Sequence, residues 1–204
     1  MKARKRNKIN YFKSRLEKHD DAPLTSGDLE VLIKWNEHKY VEFKERISTP
    51  RKIAKVMVAF DVEGGYVVIG VRRDGEIVGT SYRKEDIDNI VRDYIDPPFL
   101  MRYRVDEVSY KNKRVLIITV YPSPPPFVLK LRNGECYMRV GSSTSPVNCE
   151  QVIEYKKEYQ LYKDLHEGLP KFLATETYEN LVKIRSEKFL ENVEDNVVNL
   201  WGTN

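Results

Sequence analysis

The run Gly64-Gly65-Tyr66-Val67-Val68-Ile69-Gly70-Val71 limits the fold of this chain more than any other stretch. A strand that is apolar at successive positions is apolar on both faces, so it belongs inside a sheet and not at a wet edge. A well-marked helix precedes it. Thr49 stands as the cap, Pro50 takes the first helical position, and Ile53, Val56, Met57 and Phe60 form one apolar stripe. After the strand, Arg72-Arg73-Asp74-Gly75 predicts a hairpin turn into residues 76–79.

The other elements arrange themselves around that strand. Ile9, Phe12 and Leu16 give residues 9–18 the spacing of a basic amphipathic helix, which residues 20–23 break. Thr25, with Asp28 three residues later, predicts a capped helix over about residues 27–35. Residues 39–44 alternate: Val41 and Phe43 point one way, Tyr40, Glu42 and Lys44 the other, the pattern of a half-buried strand. A helix over about 84–95 stops at Pro97-Pro98, and two strands flank the turn Lys111-Asn112-Lys113. The proline-rich segment 121–127 reads as a stiff extended link. Asn133-Gly134 predicts a further hairpin, and residues 141–146 read as a polar loop. Asn148 with Gln151 opens a helix over about 149–166, whose stripe is Val152, Tyr155, Tyr159 and Tyr162. The expected class is α+β, a single mixed and largely antiparallel sheet flanked by helices. Residues 1–23 form a basic arm, 24–150 the core domain and 151–204 a helical C-terminal extension.

Charge narrows the function classes. The formal net charge is +4, but residues 1–18 carry eight Lys and Arg against Glu17 alone. That segment is therefore +7 and the remainder −3. Arms of this kind bind nucleic acid by releasing condensed counterions, or they serve solubility alone. No apolar run approaches the roughly 18 residues of a membrane span, and the N-terminus lacks the apolar stretch of a secretory signal. Cys136 and Cys149 show no metal-ligand spacing and no disulfide framework, and the three histidines are scattered. A reduced, zinc-free cytoplasmic protein is expected.

One ordered series of residues resembles a known family. It runs Glu37, Glu42-Phe43-Lys44, Ala59-Phe60, Gly64-Gly65-Tyr66, Ile69-Gly70-Val71 and Asp74-Gly75-Glu76-Ile77-Val78-Gly79, then Pro97, Val120 and Tyr137-Met138-Arg139-Val140-Gly141-Ser142-Ser143-Thr144. The series resembles the Schlafen-type Alba domain over about residues 24–155. The resemblance implies a mixed α/β fold that binds nucleic acid. In the vertebrate members two such lobes form a grooved pseudo-dimer that grips structured RNA, and some of them are metal-dependent ribonucleases. Their catalytic carboxylates resemble Glu37 and Glu42, followed by an Asp in the hairpin after the glycine-pair strand. The usual Gly-Val-Asp-Asp reads Gly70-Val71-Arg72-Arg73 here, which puts Arg73 at the third position; Asp74 serves only if the turn is shifted. The usual Ala-Phe-Ala-Asn-Thr reads Ala59-Phe60-Asp61-Val62-Glu63, and the vertebrate zinc-binding cysteines are absent.

Three readings follow. The first, and the expected one, is binding of DNA or RNA without cleavage. Lys2, Arg4, Lys5 and Arg6 of the arm, with Lys44, Arg72, Arg73, Lys111, Lys113 and Arg114, supply phosphate contacts if they face one groove. Arg139, Ser142 and Ser143 join them, although Arg139 fits a buried structural ion pair equally well. The second reading is a Mg²⁺- or Mn²⁺-dependent endoribonuclease that holds its metal with Glu37, Glu42 and Asp74; the first reading requires no cofactor. In the absence of a shifted turn, Arg73 is expected to pair with the glutamates. The third reading is a dimeric protein-interaction scaffold. The tyrosine stripe needs a cover, so a homodimer through the C-terminal helices is expected.

Overall fold

Strand β2 (Gly65–Ile69) is buried at every position and lies inside a four-stranded sheet of order β1-β2-β5-β4. A computed structural model describes residues 11–168, with side chains through residue 161. β1 (Val41–Lys44) runs parallel to β2, whereas β5 (Lys113–Val120) pairs antiparallel with both β2 and β4 (Tyr103–Tyr110). The sheet is mainly antiparallel and helices flank it, an α+β fold.

Both faces of the sheet are covered, as the apolar run of β2 demands. On one side Tyr66, Val68, Val115 and Ile117 pack with α2 (Ser26–Trp35) and with the helical residues 11–17 (α1), through Leu29, Leu32, Phe12 and Leu16. The basic segment is thus tied into the core from residue 11 onward, since full burial of a Phe or Leu side chain contributes roughly 1.5–3 kcal/mol. On the other side Val67, Ile69, Leu116 and Ile118 meet α3 (Pro50–Phe60) and α4 (Lys84–Tyr94). Gly65 is required at this junction: a Cβ there would lie 2.2 Å from the ring of Phe60.

Several local signals act as read. Thr25 and Asp28 form a reciprocal capping box, and Pro50 starts α3, although Thr49 makes no side-chain cap bond. Others turn out differently. The Arg72–Gly75 turn closes with the Arg72 N–H donating to Glu76 O at 2.8 Å, but residues 76–79 form no strand: they meet the preceding segment at the isolated bridge Val71–Ile77 and through the Val78 and Gly79 amides, which both donate to Gly70 O at 2.9 Å. The Asn133-Gly134 turn forms, yet its two arms part: β6 (Lys130–Leu131) pairs with β3 (Ile95–Asp96), and β7 (Cys136–Val140) pairs with β8 (Ser143–Val147). The expected polar loop is therefore mostly strand β8, held by ladder bonds to β7 and by Val147 at its end, which packs beside Val62, Cys136 and Val152.

Helix α5 (Cys149–Gly168) is fastened at its start. Asn148 Oδ1 accepts the Glu150 N–H at 2.9 Å, and Val152 is buried with Val62 and Cys136. Lys156, almost fully buried, donates to Ser123 Oγ at 2.7 Å, to Phe127 O at 2.9 Å and to the carboxylate of Asp61, itself buried. Burial pushes the Lys156 pKa down while Asp61 holds it up. All three donors of the ammonium are satisfied, which is how a buried charge is tolerated. The beginning of the tyrosine stripe is thereby covered by the chain itself. Residues 157–168 continue the helix in a second unit.

Cys136 and Cys149 form a disulfide with Cα atoms 5.3 Å apart, contrary to the reduced pair expected from their spacing. It joins β7 to the first turn of α5 and closes a loop of 13 residues. A loop of that size is worth about 3 kcal/mol in the chain-entropy account. Cys149→Ser is expected to lower unfolding free energy by roughly 2–3 kcal/mol in urea. Dithiothreitol should destabilise the wild-type protein by a similar amount and leave the variant unmoved.

Candidate nucleic-acid interface

The two glutamates arrive from different directions. α2 ends at Trp35, and Asn36, with φ 65°, turns the chain so that Glu37 folds back along β1. Its Oε1 accepts the Phe43 N–H at 3.0 Å, and its Oε2 lies 3.0 Å from Arg73 Nε. Glu42 is 8% exposed and not on a solvated face, because β7 and β8 fold over that side of β1. Its Oε2 accepts from Arg139 Nη1 at 2.9 Å, and its other oxygen pairs with the ammonium of Lys44.

Arg139 is the hub of this cluster. Its side chain is 4% exposed and its guanidinium lies 4.9 Å from the ring centroid of Phe60. It also donates to His38 O and to Thr144 Oγ1, both at 3.0 Å, while its Nε has no partner. Of the two readings of Arg139, the buried ion pair describes its position. His38 belongs to the same layer. Burial pushes its pKa down, and its Nδ1 accepts the Tyr40 N–H at 3.0 Å, a bond only the unprotonated nitrogen can make.

Asp74 stays within its own turn, where Oδ1 accepts the Glu76 N–H at 2.9 Å. Magnesium and manganese require several oxygen ligands converging on one point. Here one glutamate faces Arg73, the other faces Arg139 and Lys44, and the aspartate closes a hairpin. Among the described residues no group of three His, Cys, Asp or Glu side chains is placed to hold a metal ion. These three carboxylates do not fit the cation that the resemblance implies.

The cationic candidates divide by partner. Arg72 pairs with Glu76 and lies 3.4 Å from Glu45. Arg114 donates to Ser81 O at 2.7 Å and to Thr80 O at 3.3 Å. Ser142 and Ser143 are exposed, and it is Thr144 beside them that bonds the guanidinium of Arg139. Lys2, Arg4, Lys5 and Arg6 lie outside the described residues. Lys111 and Lys113 are different: both line an open cavity of about 550 Å³ together with Lys34 and Glu30 of α2, Gly75 and Tyr110. Lys113 donates to Ile77 O at 2.7 Å, and the Lys111 ammonium stands 5.4 Å over the Tyr110 ring. Neither Lys34 nor Tyr110 stands out in the sequence. The signal that points to Tyr110 is the hairpin register, which sets it opposite Lys113.

Comparison with known proteins finds one family model and several solved structures similar to this chain. The family model described as "Schlafen, AlbA_2" matches residues 37–148, more than half of the chain. Nine solved chains match. Among them is the DIP2311 protein from Corynebacterium diphtheriae, 21% identical, with a TM-score of 0.48. That match covers 75% of this chain and 32% of the other, so this chain spans about a third of its length. No curated protein matches.

The two ion pairs should respond differently to substitution. Arg139→Ala leaves the buried Glu42 with Lys44 as its remaining cation, and is expected to cost about 3 kcal/mol in chemical denaturation, the low end for breaking a buried pair. Arg73 is 84% exposed, so Arg73→Ala should change stability by no more than about 1 kcal/mol. His38 adds a pH dependence. Its folded pKa lies below the unfolded value of 6.5, so the unfolded state binds the extra proton first. Stability should therefore fall as pH drops through 6.5 and below, and His38→Gln should flatten that limb of the curve.

Proposed function

The chain belongs to the Schlafen AlbA_2 family, and from that premise we propose that it binds DNA or RNA by gripping phosphates. The observation that carries this reading is the open cavity beside α2. Three lysines, Lys34, Lys111 and Lys113, line it with a single acidic residue, Glu30, whose carboxylate lies 3.6 Å from the Lys34 ammonium. Such an excess of cations in a concave, solvent-open place suits a polyanion. The turn that supplies Gly75 also carries Arg72 and the exposed Arg73. Lys2, Arg4, Lys5 and Arg6 extend the proposed interface as phosphate contacts without sequence preference. Arg139 contributes by holding β7 against β1, and Ser142 and Ser143 supply hydroxyls on the outer turn. The proposed reading involves no cleavage step, because Glu37 and Glu42 serve as counter-charges to arginine and lysine.

No helix among the described residues is long and apolar enough to cross a membrane. The cytoplasm is the proposed setting, where cellular thiol reductants act on the Cys136–Cys149 disulfide. A homodimer is the proposed assembly, using α5 beyond Lys156, since Val152 is already buried. A monomeric mass by light scattering at tens of micromolar would remove the dimer.

The test of binding is the slope of log affinity against log salt, read by fluorescence anisotropy on duplex DNA, transfer RNA and single strands. Each lost phosphate contact reduces the slope by about 0.9 on duplex DNA. Lys111→Ala with Lys113→Ala should flatten it by up to about 1.8. Replacing Lys2, Arg4, Lys5 and Arg6 with Ala tests the arm without removing Phe12 and Leu16 from the core; an unchanged slope takes the arm out of the interface. Absence of binding at low salt defeats the proposal. Cleavage in Mg²⁺ or Mn²⁺, stopped by EDTA and by each of Glu37→Ala, Glu42→Ala and Asp74→Ala, would replace it with a nuclease.

A further inference from the structure

The cavity beside α2 contains more than positive charge. Its wall includes the aromatic ring of Tyr110, whose hydroxyl donates to Glu30 Oε1 at 3.3 Å. The ring belongs to the last residue of β4, and the pair Tyr110–Lys113 sets both side chains on one face of the hairpin. Between them Lys111 and Asn112 both adopt left-handed φ angles, 47° and 63°, the signature of a tight two-residue turn. At the opposite side Gly75, with φ +90°, brings its turn close to α2: a Cβ there would lie 3.0 Å from Ile33 Cγ2. The glycine lets the turn and the helix approach and shape the end of the cavity.

We propose that this cavity is a binding site for one unpaired nucleotide of a single strand, its base stacked on Tyr110 and its phosphates held by Lys34, Lys111 and Lys113. This deepens the nucleic-acid reading and rests on it. A volume of about 550 Å³ is in the range of small-ligand sites, enough for one nucleotide and far too small for a duplex. Bases in a duplex are stacked on one another and offer no free face, whereas an unpaired base stacks readily on an aromatic ring. The hydrogen bond to Glu30 restrains the ring in advance, which reduces the ordering cost of binding.

Lys111 gives the site its exchange step. In the free protein its ammonium stands over the ring, 5.4 Å from the centroid, the usual range of a cation–π contact. An incoming base takes that face. The ammonium, on a flexible stem at the hairpin tip, moves from the ring to a phosphate of the same nucleotide. Lys113 is held on the rim by Ile77 O, and Lys34, 73% exposed on α2, closes on the backbone from the other side. Any base has a face to stack, so the site selects strandedness and not sequence.

The test compares affinity for a short oligouridylate with affinity for a duplex of equal length. Tyr110→Ala is expected to lower the single-strand-to-duplex affinity ratio roughly 5- to 150-fold, the loss of one stacked base. Tyr110→Trp should restore the ratio, and circular dichroism checks that both variants fold. On the wild-type protein, a bromouridine-substituted strand should photocross-link to the peptide that contains Tyr110. A ratio unchanged in a folded Tyr110→Ala protein, or a cross-link confined to another peptide, overturns the site while leaving nucleic-acid binding intact. Competition by polyglutamate as effective as that by oligouridylate also overturns it, since the cavity is then a general anion surface. A wild-type protein that binds neither probe removes both proposals.

Discussion

One guanidinium joins parts of the chain that the backbone ladders leave separate. β7 and β8 form a sheet of their own, with no hydrogen-bonded strand in common with the main sheet. Arg139 bridges the gap: it reaches β1 through Glu42, the turn before β1 through His38 O and β8 through Thr144, and it lies against Phe60 at the end of α3. A buried ion pair contributes little over an apolar substitute, but losing one partner leaves a buried charge short of its counter-charge. The consequence reaches the chemistry. A carboxylate that must neutralise a buried arginine has its lone pairs directed at that arginine and away from any exposed cation site.

Much of the fold was legible because strong local chemistry marks it. Thr25 with Asp28, Pro50, Asn148 with Gln151, and the doubly apolar β2 each act through neighbours close in sequence. What was hidden depends on distant partners. β8 is Ser-Thr-Ser-Pro-Val, a composition that favours a loop until β7 is known to lie beside it. Glu42 alternates like a solvated residue, and only the covering hairpin buries it. Lys156 reads as surface at any helical position; the buried Asp61, Ser123 and Phe127 carbonyl that receive it come from residues at least 29 positions away. The cysteine pair is hidden for the same reason, since a spacing of 13 says nothing about where β7 and α5 meet.

The candidate interface shows the same division at smaller scale. Charge alone selects Lys111, Lys113 and Arg114 together, but the hairpin sorts them by face. Tyr110 pairs with Lys113 and Ser109 with Arg114, so adjacent residues point oppositely. Arg114 turns to the carbonyls of residues 80 and 81, and its neighbour turns to the cavity. Lys34 joins them because α2 packs on the same side of the sheet as Val108, next to the hairpin tip. Sequence identifies which residues carry positive charge; the pleat of the strand decides which of them share a face.

Glu37 has a bearing on how copies of this molecule can associate. β1 is an outer strand of the sheet, and two of its amides face away from β2. The Val41 N–H donates to His38 O at 3.2 Å, and the Phe43 N–H donates to the Glu37 carboxylate. An outer strand with unused donors is a template on which another polypeptide can add a strand, and such additions lead to filaments and precipitates. Here both donors are occupied, and a carboxylate stands where a foreign carbonyl would have to arrive. At this stretch of β1 the sheet's growth is opposed by a carboxylate fixed to the edge itself.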